Sequence, residues 1–201
     1  MGTGADASEL NAAGAGGRRD PREDAWVHAA KAGSREAFDA LVELHGRAVL
    51  RYLAGMCGPA VEAEDLAQEA LFQAFRRLGT FATGTGFRAW LLTIAYHTWV
   101  HAVRKKKLVA SADQSVLASL AAAQAESDGE LEAAIRAAVA TLPEEQRTVV
   151  LLRFGQGLSH AEIARITGAE EATVRWRLFR ARQVLRKALR LWAPDTKETK
   201  A

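Results

Sequence analysis

A chain of 201 residues is long enough for one medium domain or for two small ones, each burying a modest helical core. Hydrophobic residues make up 49% of it, much of that alanine, and no run approaches the roughly 18 consecutive apolar residues that a membrane span requires, so membrane insertion is not expected. A formal net charge of +3 says little about partners, while the single cysteine, Cys57, excludes an intramolecular disulfide, leaves a thiolate zinc site short of ligands and fits a reducing cytoplasm.

Every periodic segment spaces its apolar residues by three and four, with no sustained alternation of two, which predicts an all-α fold. Residues 1–20 are rich in Gly and Ala and lack the apolar core and flanking charge of a secretory signal; a disordered tail is expected there. A first domain, 21–107, is expected to hold a three-helix bundle. Ser34 can cap a helix whose stripe carries Phe38, Leu41, Val42, His45, Val49, Leu53 and Met56, with Gly58 and Pro59 ending it. The next helix, about 61–78, is expected to bury Ala67, Ala70, Leu71, Ala74, Phe75 and Leu78 and to leave Glu62, Asp65, Gln68, Glu69, Phe72 and Arg76 outside. Gly79 to Gly86 is a loop, and a third helix from about Phe87 to Lys107 turns Trp90, Leu91, Ile94, Ala95, Thr98 and Ala102 inward.

From 108 to 129 the composition shifts to Ala, Ser, Gln and Asp, which predicts a flexible linker. A second domain, 130–192, opens with a helix carrying Leu131, Ile135, Ala138 and Leu142, and Pro143 then starts another that ends by Gly155. Ser159 followed by Glu162 is a capping box, so a short helix begins there; Thr167 and Gly168 supply a turn. A long helix from about Glu170 to Trp192 follows, with Val174, Leu178, Ala181, Leu185, Ala188 and Leu189 inward, and residues 193–201 form a tail. Short helix, glycine turn and long basic helix make a helix-turn-helix.

Charge is distributed unevenly along this frame. Eight Arg or Lys lie between Arg165 and Arg190, and Arg104, Lys105, Lys106 and Lys107 form a second basic run. Four carboxylates between Glu62 and Glu69, with no basic residue among them, precede both basic runs. On the long helix Thr173, Arg175, Trp176, Phe179 and Arg180 point away from the apolar stripe, and Arg175 is the first candidate for a base contact. Arg177, Arg182, Arg186 and Lys187 suit phosphates, which supply affinity with little sequence information. Trp176 and Phe179 either touch the preceding helix or reach sugar and thymine methyl groups. Phe72, an aromatic among carboxylates, reads as an interface anchor.

The runs AEDLAQEALFQAF (63–75), FRAWLLTIAYHTWVHAVRKKK (87–107) and LPEEQRTVVLLRFGQGLSHAEIARITGAEEATVRWRLFRARQVLRKAL (142–189) together resemble the extracytoplasmic-function sigma factors of the sigma-70 family. The resemblance implies a sigma region 2 that binds core RNA polymerase and melts the downstream (minus ten) promoter element, and a sigma region 4 that reads the upstream (minus thirty-five) element. It implies the beta-prime clamp and beta flap as polymerase contacts, with Glu62, Asp65, Gln68, Glu69 and Phe72 on the polymerase side. Trp90, His97, His101 and Arg104 to Lys107 would meet the melted DNA, and the helix-turn-helix, from Ser159 through Arg175, Arg180 and Arg186, the duplex. An anti-sigma partner is common in such a family. His97 and His101 stand where members usually carry Asn and Asp, so the preferred downstream base is expected to differ.

Two other classes compete. His97 and His101, at i and i+4, share a face and could bind zinc, but the glutamate of a zinc protease is missing after His97 and no third ligand stands near, so no metal, cofactor or enzymatic activity is expected. A helix-turn-helix regulator without polymerase contact is the nearer rival, and a decoy that has lost promoter melting is a third; the face from Asp65 to Phe72 argues against the regulator, which has no use for it.

Overall fold

The computed structural model describes residues 22–57, 60–82, 86–112, 129–190 and 192. The expected tails 1–20 and 193–201, the helix stop at Gly58 and Pro59, and residues 113–128 of the expected linker lie outside the described residues. The described residues form α-helices with 3-10 and π turns and no strand, in agreement with the all-α expectation.

The first half holds α1 (Glu23–Lys31), α2 (Arg35–Cys57), α3 (Ala60–Arg77), a 3-10 turn at Leu78–Thr80 and α4 (Phe87–Ala112). A three-helix bundle is thus corrected to four helices. The missed α1 has only nine residues, too few to be stable in water alone, and it forms because Val27 and Ala30 are buried against α2. Lys31 donates to the Phe81 carbonyl at 2.7 Å and pins its end. Ser34 caps α2 as expected, its hydroxyl accepting from the Ala37 N–H at 3.2 Å. Buried His45 sits beside Glu23, Nε2 to carboxylate 3.3 Å; burial outweighs the attraction of Glu23 and pushes the protonation of the ring below its usual range.

On α3 the buried residues are alanines, Ala63, Ala67, Ala70 and Ala74, whose small side chains let the helix lie close to α2 and α4. Phe75 is a correction: it is 46% exposed, because its ring packs edge-on to Phe38, centroids 5.0 Å apart, at the rim of the bundle. Helix α4 also corrects the sequence reading, running to Ala112 where a linker from residue 108 was expected. Ala, Leu and Lys favour continuing the helix past the last core contact.

The second half holds α5 (Glu130–Ala140), α6 (Glu144–Val150) extended by a π turn (Leu151–Gly155), α7 (His160–Thr167) and α8 (Glu171–Ala188). Leu131 and Ile135, expected inward, are exposed; only the C-terminal part of α5, through Ala138 and the following Leu142, is enclosed. Ala188 is exposed and Leu189 half-buried where both were expected in the core, since the last turn of α8 extends past α6 and α7.

The two halves pack together. The apolar core is continuous from Val27 on α1 to Ala181 on α8, with α2 against α5, α6 and the π turn, and α4 against α7. Arg147 donates to the Met56 carbonyl at 3.3 Å, Thr148 to the Met56 sulfur at 3.8 Å, and Arg88 to the Gln156 side chain at 2.7 Å. Leu92 and Trp99, absent from the predicted inner stripe, are buried because α4 is enclosed on two faces. Leu91, Ile94 and Thr98 are buried as expected, while Arg88 reaches Gln156 and Tyr96 and Trp99 line a cleft with Glu144, Glu145 and Thr167 of the second half.

Gly55 marks the seam. A Cβ there would stand 2.7 and 2.8 Å from the two Leu151 methyls, so the glycine leaves room for Leu151 on α2. Gly55→Leu, favourable for an isolated helix, is expected to wedge the halves apart and raise the radius of gyration in small-angle X-ray scattering. An unchanged radius would mean that Leu151 turns aside and the seam closes again.

Candidate functional site

Three surfaces carry the residues singled out above. On α3, Asp65, Glu69, Phe72 and Arg76 follow one another at four, three and four residues and Gln68 flanks them, so they share one outward face. Phe72 is 56% exposed, and the Arg76 guanidinium lies 5.8 Å from its ring centre. Gln73 donates to Glu69 at 2.8 Å. Glu62 stands apart from this group: its carboxylate binds Lys106 at 2.6 Å, which joins the acidic helix to the basic run of α4.

On α4, Trp90, His97, His101 and Arg104 recur at seven, four and three residues and form one flank that spans about 21 Å at 1.5 Å per residue. Phe81, Phe87 and Trp90 form an aromatic cluster with centroids 5.2 to 5.4 Å apart, which fixes the half-buried indole at the head of the flank. His97, His101, Arg104, Lys105 and Lys106 are exposed, and the Lys107 side chain lies outside the described residues. At about 100° per residue this flank is opposite the face of α4 that meets the second half, so packing of the halves leaves it open. Among the described residues no group of three or more His, Cys, Asp or Glu could hold a metal ion. Burial first and Glu62 second push the Cys57 thiol up to about 12, which leaves it a poor nucleophile at neutral pH.

The third surface is the helix-turn-helix. Ser159 accepts from the Glu162 N–H at 3.2 Å while the Ser159 N–H donates to the Glu162 carboxylate at 2.8 Å, completing the expected capping box. Gly168 takes φ 68°, the left-handed turn that glycine adopts without strain. Val174, Leu178 and Ala181 are buried, while Arg175, Trp176, Phe179, Arg180, Arg182 and Arg186 are exposed. Trp176 and Phe179 are each 58% exposed. Thr173 and Arg177 are placed differently from the rest. Arg177 binds Glu145 at 2.6 Å with 17% of its side chain exposed. Both line a cleft of about 350 Å³ with Tyr96 and Trp99 of α4. Arg175 is ion-paired to Glu171 at 3.4 Å.

Sequence reasoning passed over Phe154. On the π turn its ring is exposed, 5.5 Å from the Arg182 guanidinium, and it holds that cation beside α8. Partial burial, followed by repulsion from Arg153 and Arg175, lowers the protonation of His160 against an opposing pull from Glu171, with Arg182 adding least.

An acidic face with an exposed aromatic and a basic helix-turn-helix thus stand on one chain whose described residues form helices and no strand, the make-up of a helical DNA-binding protein. Residues 41–109 match the family described as Sigma-70 region 2, and residues 132–185 match Sigma-70, region 4. The RNA polymerase sigma-H factor of Pseudomonas aeruginosa is 34% identical over 181 residues, 81% of this chain and 91% of that protein. The ECF RNA polymerase sigma factor SigW of Bacillus subtilis is 32% identical over 173 residues, 80% of this chain and 92% of that one. In a co-crystal structure with the anti-sigma factor NepR, the sigma factor RpoE of Bartonella quintana is 25% identical to the chain, with a TM-score of 0.72 over 78% of this chain and 98% of that one. The chain belongs to the extracytoplasmic-function group of sigma-70 family RNA polymerase sigma factors. Among the described residues no helix is long and apolar enough to cross a membrane.

Proposed function

We infer that this chain binds core RNA polymerase and directs it to promoters, and that the work is divided among the three surfaces. The α3 face, with Asp65, Gln68, Glu69 and Phe72, docks on the polymerase clamp, with Glu62 at its edge. The α4 flank from Trp90 through His97 and His101 to the basic run holds the separated downstream strand, the aromatic side chain offering stacking and the cations following phosphates. The helix-turn-helix binds the upstream duplex, with Arg175 able to reach a base edge or a phosphate and Arg180, Arg182, Arg186 and Lys187 neutralising the backbone. Arg177 joins them once it leaves Glu145, and Ser159 starts the first helix of the motif. In this reading the domains are 21–107 and 130–192, the upstream half also touches the beta flap, and the protein acts in the cytoplasm as a binding factor without catalysis. An anti-sigma factor is a fitting inhibitor.

The observation that carries this reading is the exposed Phe72 amid carboxylates on the same chain as the basic α8. A regulator acting without polymerase leaves that face without a partner. Run-off transcription with purified core polymerase on genomic fragments tests it: transcripts that appear only when the protein is added are expected, and their absence across the genome would remove the assignment.

A further inference from the structure

Helix α8 has a crest that the family resemblance does not explain. At about 100° per residue, Ala172, Trp176, Phe179 and Gln183 fall on one line diametrically opposite Val174, Leu178 and Ala181. All four crest residues are exposed, and all three opposing residues are buried. Arg175, Arg182 and Arg186 run along one side of the crest, and Arg180 and Lys187 along the other. Arg177, tied to Glu145, is turned toward the rest of the protein. The most protruding line of the helix is therefore uncharged and aromatic, between two rows of cations.

This cross-section fits one ligand. A major groove about 12 Å wide takes a helix of about 10–12 Å diameter, places its crest on the base edges and brings its sides against the two phosphate backbones. Two rows of cations match two backbones. An apolar crest cannot accept or donate the paired hydrogen bonds that distinguish guanine or adenine, since the indole offers a single N–H. What the groove floor offers such a crest is the 5-methyl group of thymine. Leaving a tryptophan and a phenylalanine in water without a partner is unfavourable, and covering them with methyl groups removes that cost.

We propose that Trp176, supported by Phe179, is a specificity-determining residue that reads thymine methyl groups in the upstream element. The proposal rests on the reading of α8 as the helix that enters the upstream duplex. It makes a chemical demand that a phosphate clamp does not make, because uracil differs from thymine only by that methyl and leaves the backbone charge untouched.

The test uses the full chain assembled with core polymerase, and duplexes randomised over the upstream element from which the assembled complex selects its preferred sequence. The recovered duplex is then made twice, with thymine and with deoxyuridine in its place. The wild type is expected to bind the deoxyuridine duplex more weakly by about fourfold for each methyl covered, the factor that burying one such group is worth. Trp176→Ser should bind both duplexes alike, with the selected sequence losing its thymines. Arg180→Ala should weaken both in equal proportion and keep the discrimination. Sequence-selective binding that is indifferent to deoxyuridine would overturn the proposal while leaving the upstream role of α8 standing. Absence of any sequence selection would overturn both. If Trp176→Ser instead lowers affinity for core polymerase without touching methyl discrimination, the crest is a protein interface and the proposal falls.

Discussion

Phe72→Ala is expected to lower affinity for core RNA polymerase about 30-fold, the loss of about 2 kcal/mol that follows when an anchor aromatic at an interface centre is truncated. The expected size comes from the side chain's position. More than half of the ring is in water, so its removal leaves no cavity in the bundle and far-ultraviolet circular dichroism should be unchanged. Only a partner that covers the ring turns its truncation into a measurable cost. Asp65→Arg should weaken the same complex through like-charge repulsion against a basic partner surface, and its effect should shrink as salt is added, whereas that of Phe72→Ala should persist. Titration of labelled variant against core polymerase at two ionic strengths separates the two. Unchanged affinity in both variants would remove the α3 face from the interface.

Tyr52→Ala is expected to cost about 3 to 5 kcal/mol of folding stability, in the range of large aromatic deletions from cores. Tyr52 is fully buried on α2, and burial pushes its hydroxyl far above the usual tyrosine range; the hydroxyl faces Thr148 of α6. The hole therefore opens at the seam between the halves, beside Gly55 and Met56. Because one apolar cluster runs through both halves, the wild type should unfold in urea as a single transition. Tyr52→Ala should lower the midpoint and split the transition, as the second half loses its support from α2. Two transitions already in the wild type, with Tyr52→Ala lowering only the one that belongs to the first half, would show that the halves fold independently and that the seam contributes little.

Much was legible in the sequence because it depends on neighbours within a few residues. The capping box at Ser159 and Glu162, the left-handed Gly168 and the buried stripe of Val174, Leu178 and Ala181 are consequences of helix periodicity and local hydrogen bonding. The outward face of α3 and the flank of α4 followed from the same spacing rule. Membership in the family was readable from the three runs in their order. What failed shows where local rules stop. Helix α1 is too short to declare itself without α2 beneath it, and Phe75 was assigned to the core by a stripe that does not know where the bundle ends.

Only the tertiary structure decided how α4 is used. Its sequence carries apolar residues on two faces, a pattern that periodicity reads as one broad stripe, and the burial of Leu92 and Trp99 goes with a helix that packs against α7 as well as against α2 and α3. The same packing separates Arg177, held by Glu145, from Arg180 and Arg186, which the sequence shows as equivalent positive charges on one helix. The sequence by itself determined which residues each helix can present, because the 3.6-residue turn sets that locally. Which of those residues stay available to DNA or polymerase was decided by contacts between segments far apart in the chain, such as Leu151 seated on Gly55, that no local pattern encodes.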